Sequence, residues 1–394
     1  MRIILKYILY LCLVQSLLFS KDITDKIEYI GTPYINQYKS GEDIYSRNVW
    51  DMQVYENKIF IGAGNSANEG PSINSGPVKL IAYSPKTNKF KIEGVIDDDQ
   101  VDIFNILNNK LFIPGHDGKG SWNWGNFYQR TSSGKWKKYR NIPKALHVYD
   151  LALKEKKLFA AIGLDEGAAV GITRDMGRYW KIVKLGSSRV YGFMNIDNQL
   201  FALKKFKRTS RPYFSVAQYI DGKFMPRYDI SIYKMFPDTK FEIKYSRATR
   251  VISFDNKVIY VGAYKYNSHQ TKPFGLYTGR LEKNKFIAKK IKLSYKYIPR
   301  DIIKRKNKLY VLVSKENKSH TTIKVLEFST KNLTKYKEVI SFNYPTFARS
   351  FELIENNFYF GMGSDVDEGN NWDMRDIKKQ TGDILKYDWK NNGK

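Results

Sequence analysis

The chain of 394 residues carries 67 lysines and arginines against 39 aspartates and glutamates, a formal charge of +28. This excess favours polyanionic partners through non-specific attraction, although a composition rich in Lys, Asn, Ile and Tyr accounts for it without any partner. The basic residues are scattered and form no dedicated arm, so the sequence does not predict sequence-specific nucleic-acid binding. The one cysteine, Cys12, excludes an intramolecular disulfide and a cysteine-rich metal site.

The first twenty residues, 1–20, have the features of a signal peptide. Arg2 and Lys6 precede an apolar run over positions 8–19, which suits a signal-peptide core and is short for a membrane span. We expect cleavage after Ser20, with an uncleaved anchor as the alternative. Residues 21–394 are then predicted to form a single secreted or periplasmic domain, without a thiol and without a transmembrane segment.

A short phrase recurs seven times along this predicted domain. Each copy has a polar turn followed by apolar residues and an aromatic one, as in Glu56-Asn57-Lys58-Ile59-Phe60. The aromatic residues are Phe60, Phe112, Phe159, Phe201, Tyr260, Tyr310 and Tyr359. Their spacing is close to the roughly 40–50 residues of one four-stranded propeller blade. Apolar segments flank each turn, so each phrase predicts a β-hairpin.

The strand count predicts how the ring closes. A third strand follows each hairpin, and a fourth follows in the first six units, but the seventh unit runs out of chain near Trp389. A strand-like segment at 26–30 precedes the first unit and is predicted to supply the missing strand, which removes the exposed sheet edges. The sequence therefore predicts an all-β, seven-bladed β-propeller closed by an N-terminal strand in the last blade. Six or eight blades are the alternatives.

The stretch Thr173-Arg174-Asp175-Met176-Gly177-Arg178-Tyr179-Trp180 fits the pattern [ST]-x-D-x-G-x-x-W. In this respect the chain resembles the Asp-box, or BNR-repeat, bacterial β-propellers, which include sialidases and many proteins without enzymatic activity. The motif lies between the predicted third and fourth strands of blade three, where Asp175 can accept turn amide hydrogen bonds and Gly177 can take a positive φ. We interpret it as a structural turn. The Arg-Ile-Pro motif of the sialidases is not matched, so the resemblance does not imply sialidase activity.

Aligning the blades on the repeated aromatic residue identifies candidate channel residues. Stepping back nine residues places Asp51, Asp150 and Asp301 at one level of the innermost strands. Stepping back ten places Arg250, Arg300 and Arg349 at equivalent positions of three consecutive blades. Converging guanidinium groups suit a carboxylate, phosphate or sulfate, so we predict an anion-binding site there. The alternative is that each arginine pairs with an acidic neighbour, Arg300 with Asp301 or Asp51.

Long polar loops after the second strands supply further candidates. His116 and Asp117 lie in one such loop, and His147 and Asp150 in the strand that follows, so the histidines are candidates for acid–base work or metal binding, or for ordinary hydrogen bonding. Trp122 could stack on a sugar ring or cover a blade end.

A second loop carries oxygen ligands. Asp365, Asp367 and Glu368 resemble a loose Ca²⁺ loop without the full EF-hand spacing. No other cofactor is expected.

Several functions fit these features. The leading prediction is an exported, monomeric, non-catalytic propeller that binds an anionic glycan, a small anion or a protein partner at the channel face. The alternative is a sialidase-like glycoside hydrolase, or a polysaccharide lyase, in which the arginines neutralise a substrate carboxylate. Acid–base chemistry would then fall to Asp51, Asp150, His116 or His147. Purely electrostatic adhesion, with steep salt dependence, is a third hypothesis.

Overall fold

A computed structural model describes residues 22–37, 41–66, 75–118, 120–207, 213–240, 245–265, 271–365 and 377–389. The predicted signal peptide, Asp367 and Glu368 lie outside these residues. Among the described residues, no helix is long and apolar enough to cross a membrane. The helical elements named within the described ranges are α1 (Ile232–Met235) and two 3₁₀ turns at Thr24–Lys26 and Gly41–Arg47.

The strands form seven antiparallel four-stranded blades, as predicted. Blade one contains β2 (Asp51–Tyr55), β3 (Lys58–Gly62), β4 (Val78–Ser84) and β5 (Lys89–Ile96). Blade two contains β6 (Asn105–Leu107), β7 (Lys110–Pro114), β8 (Trp124–Arg130) and β9 (Trp136–Pro143). Blade three contains β10 (Ala145–Lys154), β11 (Lys157–Leu164), β12 (Gly167–Thr173) and β13 (Lys181–Lys184). Blade four contains β14 (Val190–Ile196), β15 (Gln199–Lys204), β17 (Val216–Ile220) and β18 (Lys223–Pro226).

Blade five contains β19 (Tyr245–Phe254), β20 (Lys257–Lys265), β21 (Thr271–Glu282) and β22 (Lys285–Ile291). Blade six contains β23 (Ile298–Arg305), β24 (Lys308–Glu316), β25 (Thr321–Ser329) and β26 (Asn332–Tyr344). A two-residue strand, β16 (Phe206–Lys207), adds to the inner edge of blade five. Blade seven contains β27 (Phe347–Ile354), β28 (Asn357–Gly363), β29 (Ile384–Asp388) and, as its fourth strand, β1 (Glu28–Gly31).

The N-terminal strand closes the ring as predicted. β1 pairs antiparallel with β29, with Glu28 opposite Lys386 and Tyr29 opposite Leu385. A 3.0 Å ion pair between Lys386 Nζ and Glu28 Oε2 joins the same two strands. The first and last described strands therefore share one blade.

The repeated aromatic residues form the core between the blades. Phe60, Phe112, Phe159 and Phe201 are completely buried, and Tyr310 and Tyr359 are nearly so. Burying a side chain of this size stabilises a fold by about 1.5–3 kcal/mol. Their regular recurrence along the chain therefore reflects one packing contact made once in each blade.

Blade five corrects one detail of the repeat alignment. Its hairpin turn is Asp255-Asn256, both with positive φ, as Glu56 and Asn57 have in blade one. The third residue after Asn57 is Phe60, whereas the third residue after Asn256 is Ile259, not Tyr260. The alignment of blade five on Tyr260 is therefore wrong by one residue, because the turn and not the aromatic side chain sets the pairing register.

The motif at 173–180 forms the turn between β12 and β13, as interpreted. Asp175 Oδ1 accepts hydrogen bonds from the Thr173 hydroxyl at 2.6 Å and from the amides of Arg178 and Tyr179 at 2.9 and 3.1 Å. Gly177 has φ +103°, and a Cβ there would lie 2.7 Å from the Phe127 ring. Trp180 packs edge-on against the same ring. The hydrogen bonding and packing of these residues account for the pattern.

Candidate functional site

The first strands of the blades meet around a cavity of about 870 Å³. The reference residue is Ile259 in blade five and the repeated aromatic residue in each of the other six blades. Counting back from these references gives three rings of equivalent residues. The first ring, twelve residues before the reference, is Asn48, Gln100, His147, Arg189, Arg247, Ile298 and Phe347. The second ring, ten residues before it, is Trp50, Asp102, Tyr149, Tyr191, Thr249, Arg300 and Arg349, and all seven residues line the cavity. The third ring, nine residues before it, is Asp51, Ile103, Asp150, Gly192, Arg250, Asp301 and Ser350.

β-Bulges explain why second-ring side chains reach the cavity. In blade three, Val148 pairs with Ile162 and Asp150 with Ala161, so Tyr149 is an extra residue without a partner. Register shifts at the same place occur in blades four, six and seven. A bulge bends the strand and re-aims a side chain. In blade five the bulge falls one residue later and includes Arg250.

The aspartates of the third ring join neighbouring blades. Each accepts a hydrogen bond through Oδ2 from a backbone amide in, or immediately before, the first strand of the next blade. The bonds run from Phe104 N to Asp51 (2.8 Å), from Phe193 N to Asp150 (2.9 Å) and from Phe351 N to Asp301 (3.1 Å). Burial raises the pKa of Asp51 and that of Asp150 to about 6 each. These carboxyl groups are committed to the fold.

Arg250 does not share a level with Arg300 and Arg349, which corrects the prediction. It belongs to the third ring, where it donates to Asp51 Oδ1 at 2.6 Å and lies 3.4 Å from Asp301 Oδ1. Blades five and one are not neighbours, so this ion pair crosses the channel. The predicted alternative of internal ion pairs describes Arg250, which pairs with Asp51 and Asp301, the two carboxylates expected to pair with Arg300.

Arg300 and Arg349 converge on one carboxylate, Asp365. Arg349 Nη2 lies 2.7 Å from Asp365 Oδ1, and Arg300 Nη1 lies 3.3 Å from Asp365 Oδ2. Phe347 packs against both guanidinium groups, at 3.7 Å from Arg300 and 5.1 Å from Arg349. Although burial opposes ionisation, the two arginines lower the pKa of Asp365. An internal anion thus occupies the position proposed for a ligand.

Two other arginines line the cavity without a carboxylate. Arg189 precedes β14 and donates from Nη1 to the Tyr149 hydroxyl at 2.5 Å. Arg247, on β19, lies with its guanidinium 3.6 Å from the centroid of the Tyr191 ring. Within the described part of the chain, neither arginine has an acidic partner. The sequence analysis did not identify Arg189 or Arg247. They lie two residues before the second-ring residues Tyr191 and Thr249, and residues two apart in an extended chain point to the same face.

His116 and His147 lie beside these arginines. Their rings are 6.0 Å apart, and each lies within 5.5 Å of the Tyr149 ring. His116 Nδ1 lies 3.1 Å from Asp102 Oδ2, and His147 Nδ1 lies 2.7 Å from the His116 carbonyl oxygen. Burial, together with the charge of His116 and Arg189, lowers the pKa of His147 to about 3. His147 is therefore a poor general base.

The remaining candidates lie apart from this cluster. Trp122 is 66% exposed and is absent from the cavity lining. Asp365 is the one predicted Ca²⁺ ligand among the described residues, and its carboxylate forms ion pairs with Arg300 and Arg349. Among the described residues, no group of three or more histidines or carboxylates is placed to hold a metal ion.

Comparison with family models finds no match, and comparison with curated proteins finds none either. Solved structures do resemble this chain. An ancestral GH74 enzyme superposes with a TM-score of 0.50 at 13% identity, over 82% of this chain and 45% of that enzyme. Hydrazine synthase of Kuenenia stuttgartiensis gives a TM-score of 0.49 at 10% identity, over 84% of this chain and 96% of that chain. This chain thus spans less than half of the GH74 enzyme, and that likeness shows the propeller fold alone.

Proposed function

We propose that this protein is an exported, non-catalytic β-propeller that binds an anionic ligand in its central cavity. The observation that supports the proposal most is the pair of arginines, Arg189 and Arg247, that line the cavity without an acidic partner among the described residues. A guanidinium group removed from bulk water is stabilised by a bidentate carboxylate or phosphate. The cavity of about 870 Å³ has the size of a small-molecule site.

Binding is preferred over catalysis because three of the four acid–base candidates are unsuited to proton transfer, while the fourth, His116, is paired with Asp102 at 3.1 Å. Asp51 and Asp150 accept backbone hydrogen bonds that join the blades. His147 is neutral near pH 7, and its low pKa makes it a weak proton acceptor. A hydrolase or lyase needs a group that exchanges a proton with the substrate, and Asp51, Asp150 and His147 do not supply one.

The test is a binding screen of acidic oligosaccharides and small anions at fixed ionic strength. Arg247→Ala is compared with Arg280→Ala, which removes the same charge from an arginine that is half exposed and outside the cavity. We expect Arg247→Ala to weaken binding at least about tenfold and Arg280→Ala to leave it unchanged, since one charge-assisted hydrogen bond has that value.

Two outcomes would overturn the proposal. Equal effects of the two substitutions, with affinity that falls steeply with salt, would indicate non-specific adhesion. Cleavage products from any bound glycan, detected by mass spectrometry, would show an enzyme.

A further inference from the structure

Three consecutive blades place polar first-ring residues around two aromatic rings. His147, Arg189 and Arg247 come from blades three, four and five. Tyr149 and Tyr191, from the second ring, lie between them with their ring centroids 4.9 Å apart. The Tyr149 ring also lies 5.5 Å from the His147 ring. These residues thus combine two cations, Arg247 over the Tyr191 ring and Arg189 at the Tyr149 hydroxyl, with two aromatic rings and the imidazole of His147.

The surroundings of His147 fix its tautomer. Nδ1 lies 2.7 Å from the carbonyl oxygen of His116 and 3.9 Å from Asp117 Oδ1, and both of these oxygens are acceptors. Nδ1 therefore carries the hydrogen, and Nε2 presents a lone pair. No donor in the described residues pairs with Nε2, and His147 lines the cavity.

The neighbours of His147 keep this acceptor neutral. The titratable groups that face it are His116, Asp117, Tyr149 and Arg189. Burial and the positive neighbours hold the pKa of His147 near 3, so the lone pair is present throughout the physiological pH range. A neutral acceptor selects a hydroxyl or amide donor on the ligand and cannot contribute to binding its charge.

Tyr149 adds a hydrogen-bond donor, whereas His147 supplies the acceptor atom Nε2. Its hydroxyl oxygen accepts a hydrogen bond from Arg189, and burial raises the pKa of the phenol above its ordinary value. The hydroxyl hydrogen is therefore retained and is available to a ring or ether oxygen. Tyrosine faces next to arginines also suit the flat, weakly polar faces of a sugar ring.

We propose that the ligand is a hydroxylated anion of the acidic-sugar class. Its carboxylate or phosphate binds Arg189 and Arg247, its ring packs against Tyr149 and Tyr191, and one of its hydroxyl groups donates to Nε2 of His147. This inference rests on the proposed function and adds the requirement for a hydroxyl donor. It distinguishes sugar acids and sugar phosphates from bare anions and from simple aromatic carboxylates.

The experiment measures affinity by calorimetry at fixed ionic strength for two sets of probes. The hydroxylated set is glucuronate, galacturonate, N-acetylneuraminate and glucose 6-phosphate. The matched set without hydroxyl groups is cyclohexanecarboxylate and inorganic phosphate. The variants are His147→Phe, which keeps a ring without an acceptor, His147→Gln, which keeps an acceptor oxygen, and Arg247→Ala.

We expect at least one hydroxylated probe to bind the wild type about tenfold tighter than its matched probe, as one hydrogen bond to a buried acceptor allows. His147→Phe should remove that advantage without changing the affinity for cyclohexanecarboxylate, and His147→Gln should restore part of it. Thermal unfolding of each variant checks that the propeller remains folded.

The outcomes separate this inference from the proposed function. If Arg247→Ala weakens both probe sets while His147→Phe weakens neither, the anion site stands and the hydroxyl requirement fails. If hydroxylated and matched probes bind equally, the inference fails as well. If no probe of either set binds, both proposals fail.

Discussion

Arg250 and Asp51, 199 residues apart in the chain, form a 2.6 Å ion pair that crosses the channel from blade five to blade one. Asp51 in turn accepts the Phe104 amide of blade two. The pair therefore connects three blades, and Asp301 of blade six lies 3.4 Å from the same arginine. Arg250 therefore links blade five to blades one and six.

These ion pairs predict that the protein loses stability when the Arg250 side chain is removed. Arg250→Ala leaves Asp51 and Asp301 as buried carboxylates without a cation, which should lower the free energy of unfolding by about 3 kcal/mol. The surface variant Arg280→Ala should change it by less than about 0.5 kcal/mol. Denaturant unfolding measures both values. Equal stability of the two variants would contradict this role.

Asp365 should act as an internal competitor for anions. Asp365→Asn removes the carboxylate that Arg300 and Arg349 share and leaves Arg300, among the described residues, only its 3.3 Å ion pair with Glu316, so we expect inorganic phosphate to raise the melting temperature of the variant more than that of the wild type. Adding Arg349→Ala to the variant should remove the difference. The same response in the wild type and in Asp365→Asn would show that these arginines do not form a latent anion site.

The buried carboxyl of Asp98 predicts how stability depends on pH. Asp98 is completely buried, its Oδ2 accepts from Asn126 at 2.7 Å, and burial raises its pKa to about 6 from 3.8. Between these two values the folded state keeps a proton that the unfolded state has lost. The free energy of unfolding should therefore fall as the pH rises from about 4 to 6, by up to about 1.4 kcal/mol per pH unit for this one proton.

Asp98→Asn should remove that contribution and make the slope shallower, while the contributions of Asp51 and Asp150 remain. Urea unfolding of both proteins at several pH values between 4 and 8 makes the comparison. A slope in the variant that equals the wild-type slope would show that Asp98 has an ordinary pKa.

The turn at 173–180 predicts a purely structural phenotype. Trp180→Ala removes the contact with Phe127 and should lower the free energy of unfolding by about 2 kcal/mol. Asp175→Ala removes three hydrogen bonds within the turn and should also destabilise the fold. Neither variant should change affinity for a cavity ligand once the folded fraction is accounted for. Lost binding in a fully folded variant would place a ligand site at this turn.

Much of the fold could be predicted because its signal is local and repeated. Each polar turn lies between two apolar segments, and a buried aromatic residue follows it within one position of the same place in every blade, so counting the phrases gives the blades. The strand at 26–30 could be assigned because blade seven lacked one strand. A register error in one blade was harmless to this count, since blade number does not depend on it.

The site depends on register, and there a shift of one residue matters. Aligning blade five on Tyr260 placed Arg250 beside Arg300 and Arg349, whereas the turn at Asp255-Asn256 places it with the aspartates. The ion pairs could not be predicted, because closure of the ring brings Asp51 to Arg250, and the segment after β28 brings Asp365 to Arg349 and Arg300. Moving two residues back along the chain from the second ring would have identified Arg189 and Arg247 and placed them at the same level as His147.

The most direct test of the anion site is the affinity of the tightest acidic-sugar probe for the double variant Arg189→Ala, Arg247→Ala, measured by calorimetry beside the charge-matched double variant Arg178→Ala, Arg280→Ala. Both Arg178 and Arg280 are exposed and outside the cavity lining. We expect the first variant to lose at least about a hundredfold in affinity, one factor of ten for each charged hydrogen-bonding group, while the second binds as the wild type does. Equal affinities of the two double variants would contradict it.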